Sequence, residues 1–144
     1  MKLTNAQIHS CFVGLASLDS QLEKCAPDTR FKIGINLETL RKIAGVFERT
    51  QRRCFSDITT ASMKNTEKKE TDAERVAREA KVNTEVDDAI DVLRSQEFDI
   101  EVMTILRSEL RMAENTKITG TTIGQILPIL EGIEIVKKKD GGVK

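Results

Sequence analysis

Few side chains in this sequence could do chemistry, and most of them stand apart. His9 is the single histidine, with Cys11 two residues further on. A nucleophilic thiol needs its imidazole base within hydrogen-bond reach, and residues two apart on a helix point to different sides. With no third group to orient the imidazole, a catalytic role for His9 is not expected. Asp87 and Asp91 are four residues apart and share a helical face, with Asp88 beside them. Such carboxylates could hold a hard divalent cation. They lack a further acidic group in register and supporting carbonyls, so a solvated acidic face is the expected reading. Arg41, Lys42, Arg49, Arg52 and Arg53 form a basic run that could contact nucleic-acid phosphates. It could equally pair with the acidic segment around Asp87, Asp88 and Asp91, in the same chain or in a neighbouring copy. Pairing is favoured, because the formal net charge is zero and no aromatic side chains interleave the arginines for base stacking.

No glycine-rich phosphate loop, nucleophile elbow or HExxH pattern occurs. The sequence therefore points to no catalytic residue, no cofactor and no metal. Its candidate interaction surface is Arg41, Lys42, Arg49, Arg52, Arg53, Asp87, Asp88 and Asp91. The three cysteines, Cys11, Cys25 and Cys54, are odd in number and form no CxxC. A buried, reduced Cys11 and a reducing cytoplasm follow as expectations.

These residues need elements to position them. Thr4-Asn5-Ala6-Gln7 fits a capping box, with Leu3 placed to staple onto Ile8. The stripe Ile8, Cys11, Phe12, Leu15, Leu18, Leu22 then predicts a first helix within 4–26, ending before Pro27. Asp28 or Thr29 is expected to cap a second helix with Ile33, Leu37, Leu40, Ala44 and Phe47 inward and Asn36, Ile43 and Cys54 flanking. Gly34 and Gly45 weaken it, and Gly45 could admit a neighbouring helix. The polar stretch 59–72 reads as a hairpin tip. A third helix is expected from Ala73 to Gln96 with Val76, Ala80, Val86, Ile90 and Leu93 inward, and a break near Asn83. Two long helices joined this way make an antiparallel hairpin over 28–96.

At residue 97 the period changes from 3.6 to 2. Glu97, Phe98, Asp99, Ile100, Glu101 and Val102 alternate, which predicts a strand continuing to about Ile105, its carboxylates on the wet face. Its expected partner is Ile133–Val136. A short helix is expected over 122–131, disturbed by Pro128, with a mobile tail at 137–144. The fold class is thus mainly α with a small β element. It comprises a long antiparallel helical hairpin, an N-terminal helix, a short two-stranded sheet and a short C-terminal helix, in a single domain over 1–144.

Composition agrees. A charged fraction of 32% with 39% apolar residues suits helices with one buried face. Five Phe and no Trp or Tyr leave the core to Leu, Ile and Val. Charge is uneven: residues 1–64 carry ten Lys and Arg against six Asp and Glu, while 65–115 carry eight against fourteen. A basic segment beside an acidic one favours pairing within the chain or head-to-tail association between copies. No signal peptide is expected, and no apolar run approaches the ~20 residues of a membrane span.

The order of these parts resembles a family of small, mostly helical proteins of tailed bacteriophages. Members start with an LTNAQ-type helix, here Leu3-Thr4-Asn5-Ala6-Gln7. A K-x-x-x-N-x-x-x-L helix follows, here Lys32, Asn36 and Leu40, with E-x-x-x-R beyond it at Glu48 and Arg52. A polar insert, a further helix and an amphipathic E-x-D-I strand come next, here Glu97-Phe98-Asp99-Ile100. After Thr104 the chain departs, with ILRSELRMAENTK before its last helix. The resemblance implies a non-enzymatic role in building, joining or accompanying the virion. Implied partners are other phage structural proteins and copies of the chain itself, in the virion or the host cytoplasm. A small regulatory nucleic-acid binder using the basic face is the alternative.

Overall fold

The structure, a computed structural model, describes residues 1–64 and 70–131. It is mainly α with a small β element. In chain order the elements are β1 (Lys2–Thr4), α1 (Asn5–Gln21), α2 (Pro27–Lys64), α3 (Asp72–Ser95), β2 (Glu97–Asp99), β3 (Ile105–Leu106), α4 (Gly120–Ile126) and β4 (Leu130–Glu131). Short 3-10 turns lie at Arg107–Leu110 and Leu127–Ile129. The described residues form two compact units, one from Met1–Ala44 with residues 97–131, the other from Gly45–Gln96.

The first unit holds the hydrophobic core. Thr4 begins α1 as the capping box predicts: its hydroxyl accepts from the Gln7 N–H at 3.2 Å, and the Gln7 side chain accepts from the Thr4 N–H at 2.9 Å. The α1 stripe Ile8, Cys11, Leu15, Leu18 and Leu22 is buried, in one cluster with Ile33, Leu40 and Ala44 of α2. Burial pushes the Cys11 thiol up to about 12, which leaves it protonated and unreactive at neutral pH. What α1 packs against most closely is α4. A Cβ at Gly14 would stand 2.7 Å from the Gln125 Cβ, so only glycine permits this approach. Ser10 donates to the Gln125 carbonyl, and the Gln21 side chain accepts from the Thr119 N–H and the Thr122 hydroxyl at the start of α4.

Two buried asparagines close the remaining seams. The Asn36 amide pairs with the backbone of Met103 in both directions, each bond 2.7 Å, as a strand neighbour would. Asn115 accepts from the N–H groups of Glu23 and Lys24 and donates to the carbonyls of Lys24 and Leu110. A third tie is ionic. Glu109 accepts from the Leu106 N–H at 2.7 Å, from Lys32 at 3.0 Å and from the Thr29 hydroxyl at 3.3 Å. Burial alone would push the Glu109 carboxyl up, but these donors outweigh it and hold it below the usual range. A depressed carboxyl stabilises the fold above its unfolded value, about 4.3 for Glu, and the contribution is lost as pH falls through the folded value. The unfolding midpoint should therefore drop on acidification below about pH 5, and Glu109→Gln should flatten that drop. Thermal melts across pH 3–7 check it; equal acid slopes in both proteins would contradict it.

Several boundaries differ from the sequence expectation. Helix α2 starts at Pro27, one residue before the expected caps, because proline at the first helical position has no N–H to leave unpaired. Ala26 accepts from the Arg30 N–H, and Thr29 is instead buried against Glu109. The strand expected to run to Ile105 stops at Asp99. Its partner is β1, antiparallel, with Leu3 opposite Phe98; the expected partner Ile133–Val136 lies outside the described residues. Ile105–Leu106 forms a separate strand, parallel to β4. Around Pro128 the last helix tightens to a 3-10 turn, since proline offers no N–H to the α ladder.

The second unit is the helical hairpin. Ile58, Ala61 and Ser62 of α2 face Ala77, Lys81 and Val82 of α3 across one groove; Phe55, Thr59 and Met63 face Glu79, Val82 and Asn83 across another. Only seven residues, 65–71, join α2 to α3, too few to run back along the length of α3, so the pair is antiparallel. Residues 59–64, expected as the start of the polar tip, are helical: packing against α3 overrides their weak propensity. Residues 65–69 lie outside the described residues, and Thr71 caps α3 by accepting from the Glu74 N–H. No break occurs near Asn83. Val86 is buried and Ile90 and Leu93 are half-buried, but Val76 and Ala80 are exposed. The seam that runs through Val86 and Val82 reaches Arg78 on its next turn, and that guanidinium pairs with Glu70 at 2.7 Å. The apolar spacing at 76 and 80 follows a different face.

Candidate interaction faces of the hairpin

The basic residues all belong to α2. Counting about 100° per residue, Arg49, Arg52 and Arg53 of the hairpin unit fall within an arc of about 100°. These three are exposed, as are Arg41 and Lys42. Within the hairpin unit this arc lies opposite the buried Phe47. Arg41 and Lys42 belong to the first unit, and Arg41 pairs with Glu38 one turn earlier. Arg49, Arg52 and Arg53 belong to the hairpin unit. Gly45, expected to admit a helix, instead has the Arg49 guanidinium near it: a Cβ there would lie 3.4 Å from Nη1.

Asp87, Asp88 and Asp91 are also exposed and lie on the side of α3 turned away from Val82, Val86 and Leu93. Arginines and aspartates are thus not brought together within the hairpin. Ion pairs of this unit include Arg75 with Asp72 and Glu79, and Arg78 with Glu70; among the described residues, none of these joins the basic run to these aspartates. Nor do three or more His, Cys, Asp or Glu side chains converge on a metal-sized site among the described residues.

Groove partners fix the relative level of the two charged patches. Phe55, Thr59 and Ile58 lie beside Val82. Nine residues before Ile58 is Arg49, and nine beyond Val82 is Asp91. By the same count Arg52 is level with Asp88, and Arg53 with Asp87. The hairpin unit therefore carries three cations on one edge and three anions on the opposite edge, at matching height.

Sequence patterning missed the apolar part of this surface. Val46, Phe55 and Met63 of α2 and Val76 and Val92 of α3 are each more than half exposed. The signal was present at Val76 and Val92, which cannot share the 3.6-residue stripe of Val82, Val86 and Leu93. Among the described residues, no helix is long and apolar enough to cross a membrane. No protein-family model, curated protein or solved structure matches this chain.

Proposed function

We propose that this chain is a structural or assembly component of a tailed-bacteriophage particle, acting through protein–protein contacts rather than catalysis, in the virion or the host cytoplasm. The observation that carries the reading is the hairpin unit itself. Its helices present opposite charges on their outward edges, with Val46, Val76 and Val92 exposed between and beside them. Each exposed ion pair contributes only about 0–1 kcal/mol, so such a surface becomes effective where many copies engage at once. The particle setting is supported by the LTNAQ opening and the order of parts that follows it. Quantitative mass spectrometry of purified particles tests the proposal: many copies per particle are expected. Absence from both particles and assembly intermediates would overturn it.

One observation favours a second reading, a small nucleic-acid-binding protein: Arg49, Arg52 and Arg53 share one exposed face of the hairpin unit. A gel shift at about 50 mM salt, where phosphate contacts are strong, separates the two. The contact reading expects no shift. A shift abolished by replacing Arg49, Arg52 and Arg53 with Gln would favour nucleic acid.

A further inference from the structure

From the placement of its charged edges, we infer that the chain associates head to tail with copies of itself, the basic edge of α2 on one copy seating on the acidic edge of α3 on the next. The inference rests on the contact role proposed above and adds both the partner and the geometry. Complementarity within one chain is what identifies the partner. Arg49, Arg52 and Arg53 stand level with Asp91, Asp88 and Asp87, and the ion pairs of Arg75 and Arg78 in the hairpin unit take up none of the six. When two copies lie side by side in the same orientation, Arg49 of one comes opposite Asp91 of the other, with the other two pairs on either side.

The directions of the edges set the type of assembly. On α2 the seam side is given by Phe47, Cys54 and Ile58, and at about 100° per residue Arg49 points about 160° away from it. On α3 the seam side is given by Val82, Val86, Ala89 and Leu93, and Asp91 likewise points about 170° away. The two patches therefore face opposite ways. A two-fold dimer would need each copy to offer both patches to the same partner, which opposite edges cannot do. A heterologous contact remains, and it grows into a ring if the rotation closes or a filament if it does not.

Neighbouring charges disfavour one slip of the register. Asp57 lies just beyond the basic patch and Arg94 just beyond the acidic one, both exposed. Sliding one copy by a turn toward Arg94 would set Arg49 against Arg94 and Asp57 against Asp87. Like charges would then oppose each other at both positions. Ala73 and Ala80 on the outer side of α3 are exposed and small, which lets the neighbouring helix come close.

Sedimentation of three forms of the full chain tests the inference at about 50 mM salt, where screening is weak. The first is the unaltered chain. The second carries Arg49→Gln, Arg52→Gln and Arg53→Gln, and the third carries Asp87→Asn, Asp88→Asn and Asp91→Asn. All six positions are exposed, so circular dichroism should show the native helix content throughout. The unaltered chain should form trimers or larger species that shrink as salt rises. Each variant alone should sediment at 16.1 kDa. Their equimolar mixture should form a 1:1 pair and grow no further, because one intact basic edge then meets one intact acidic edge. A monomeric or strictly dimeric unaltered chain overturns the inference, as does a mixture that stays monomeric, or a variant that assembles like the unaltered chain. If the chain is monomeric yet abundant in particles, the head-to-tail contact falls and the particle role stands. If it assembles but is absent from particles and their intermediates, the particle role falls.

Discussion

Asn115→Ala should lower the thermal unfolding midpoint by roughly 6–12 °C, corresponding to about 3 kcal/mol in a chain of this length. The side chain is only 2% exposed, yet every polar atom it has is used. Its oxygen accepts from Glu23 and Lys24 N–H at 2.9 and 2.8 Å, and its nitrogen donates to the Lys24 and Leu110 carbonyls at 2.7 and 2.9 Å. The link between α1 and α2 is thereby tied to the loop after Leu110. Truncation strands several backbone groups at once, and stranded buried groups cost more than a hydrogen bond returns. Asn115→Asp separates hydrogen bonding from packing. It keeps the volume and the acceptor but turns a carboxylate oxygen toward two carbonyls, so it should destabilise at least as much. A midpoint within about 2 °C of the unaltered chain for Asn115→Ala would contradict the assignment.

The second large effect is at Gly14, and here the sign carries the argument. Inside a helix, replacing glycine with alanine ordinarily stabilises by up to about 1 kcal/mol. At Gly34, where an added Cβ meets nothing within 4 Å, that gain is expected. At Gly14 the added Cβ would stand 2.7 Å from the Gln125 Cβ and 2.8 Å from the Ile126 Cγ2. These atoms sit next to the α4 backbone, so the whole helix must move away. Overpacking of this kind costs about 1–3 kcal/mol. Gly14→Ala should therefore melt several degrees below the unaltered chain and Gly34→Ala slightly above it. Chemical denaturation of the two variants side by side checks the contrast; equal shifts of the same sign would refute the close α1–α4 approach.

Local signals carried much of the fold. The capping box at Thr4 and Gln7, the stripe from Ile8 to Leu22, and the Ile33, Leu40, Ala44 and Phe47 face of α2 all depend on neighbours within two helical turns. Their chemistry is visible in any short window. What was hidden depends on distant partners. The alternation at Glu97–Val102 marks a strand but cannot say that β1, nearly a hundred residues earlier, is its neighbour. Asn36 and Asn115 look like ordinary polar residues until Met103 and Lys24 are placed against them. Gly14 reads as a weak point in a helix until Gln125 arrives.

The interaction faces were legible in part. Charge runs are a property of the sequence, and the residues of both patches could be named from it. Their separation onto opposite edges could not, because it depends on which side of each helix the seam takes. Val76 and Ala80 were assigned inward on spacing alone. The seam runs instead through Val82 and Val86 to Arg78, whose pairing with Glu70 makes a charged side chain tolerable there. Reading the seam wrongly at the start of α3 concealed the exposed Val76.

The contact role proposed for this chain rests on the edges of its hairpin unit. Particles assembled with the unaltered chain and with the variant carrying Arg49→Gln, Arg52→Gln and Arg53→Gln test it most directly, with copies per particle counted by mass spectrometry. The variant is expected to fold normally but to be strongly depleted from particles. Incorporation at the level of the unaltered chain would contradict it.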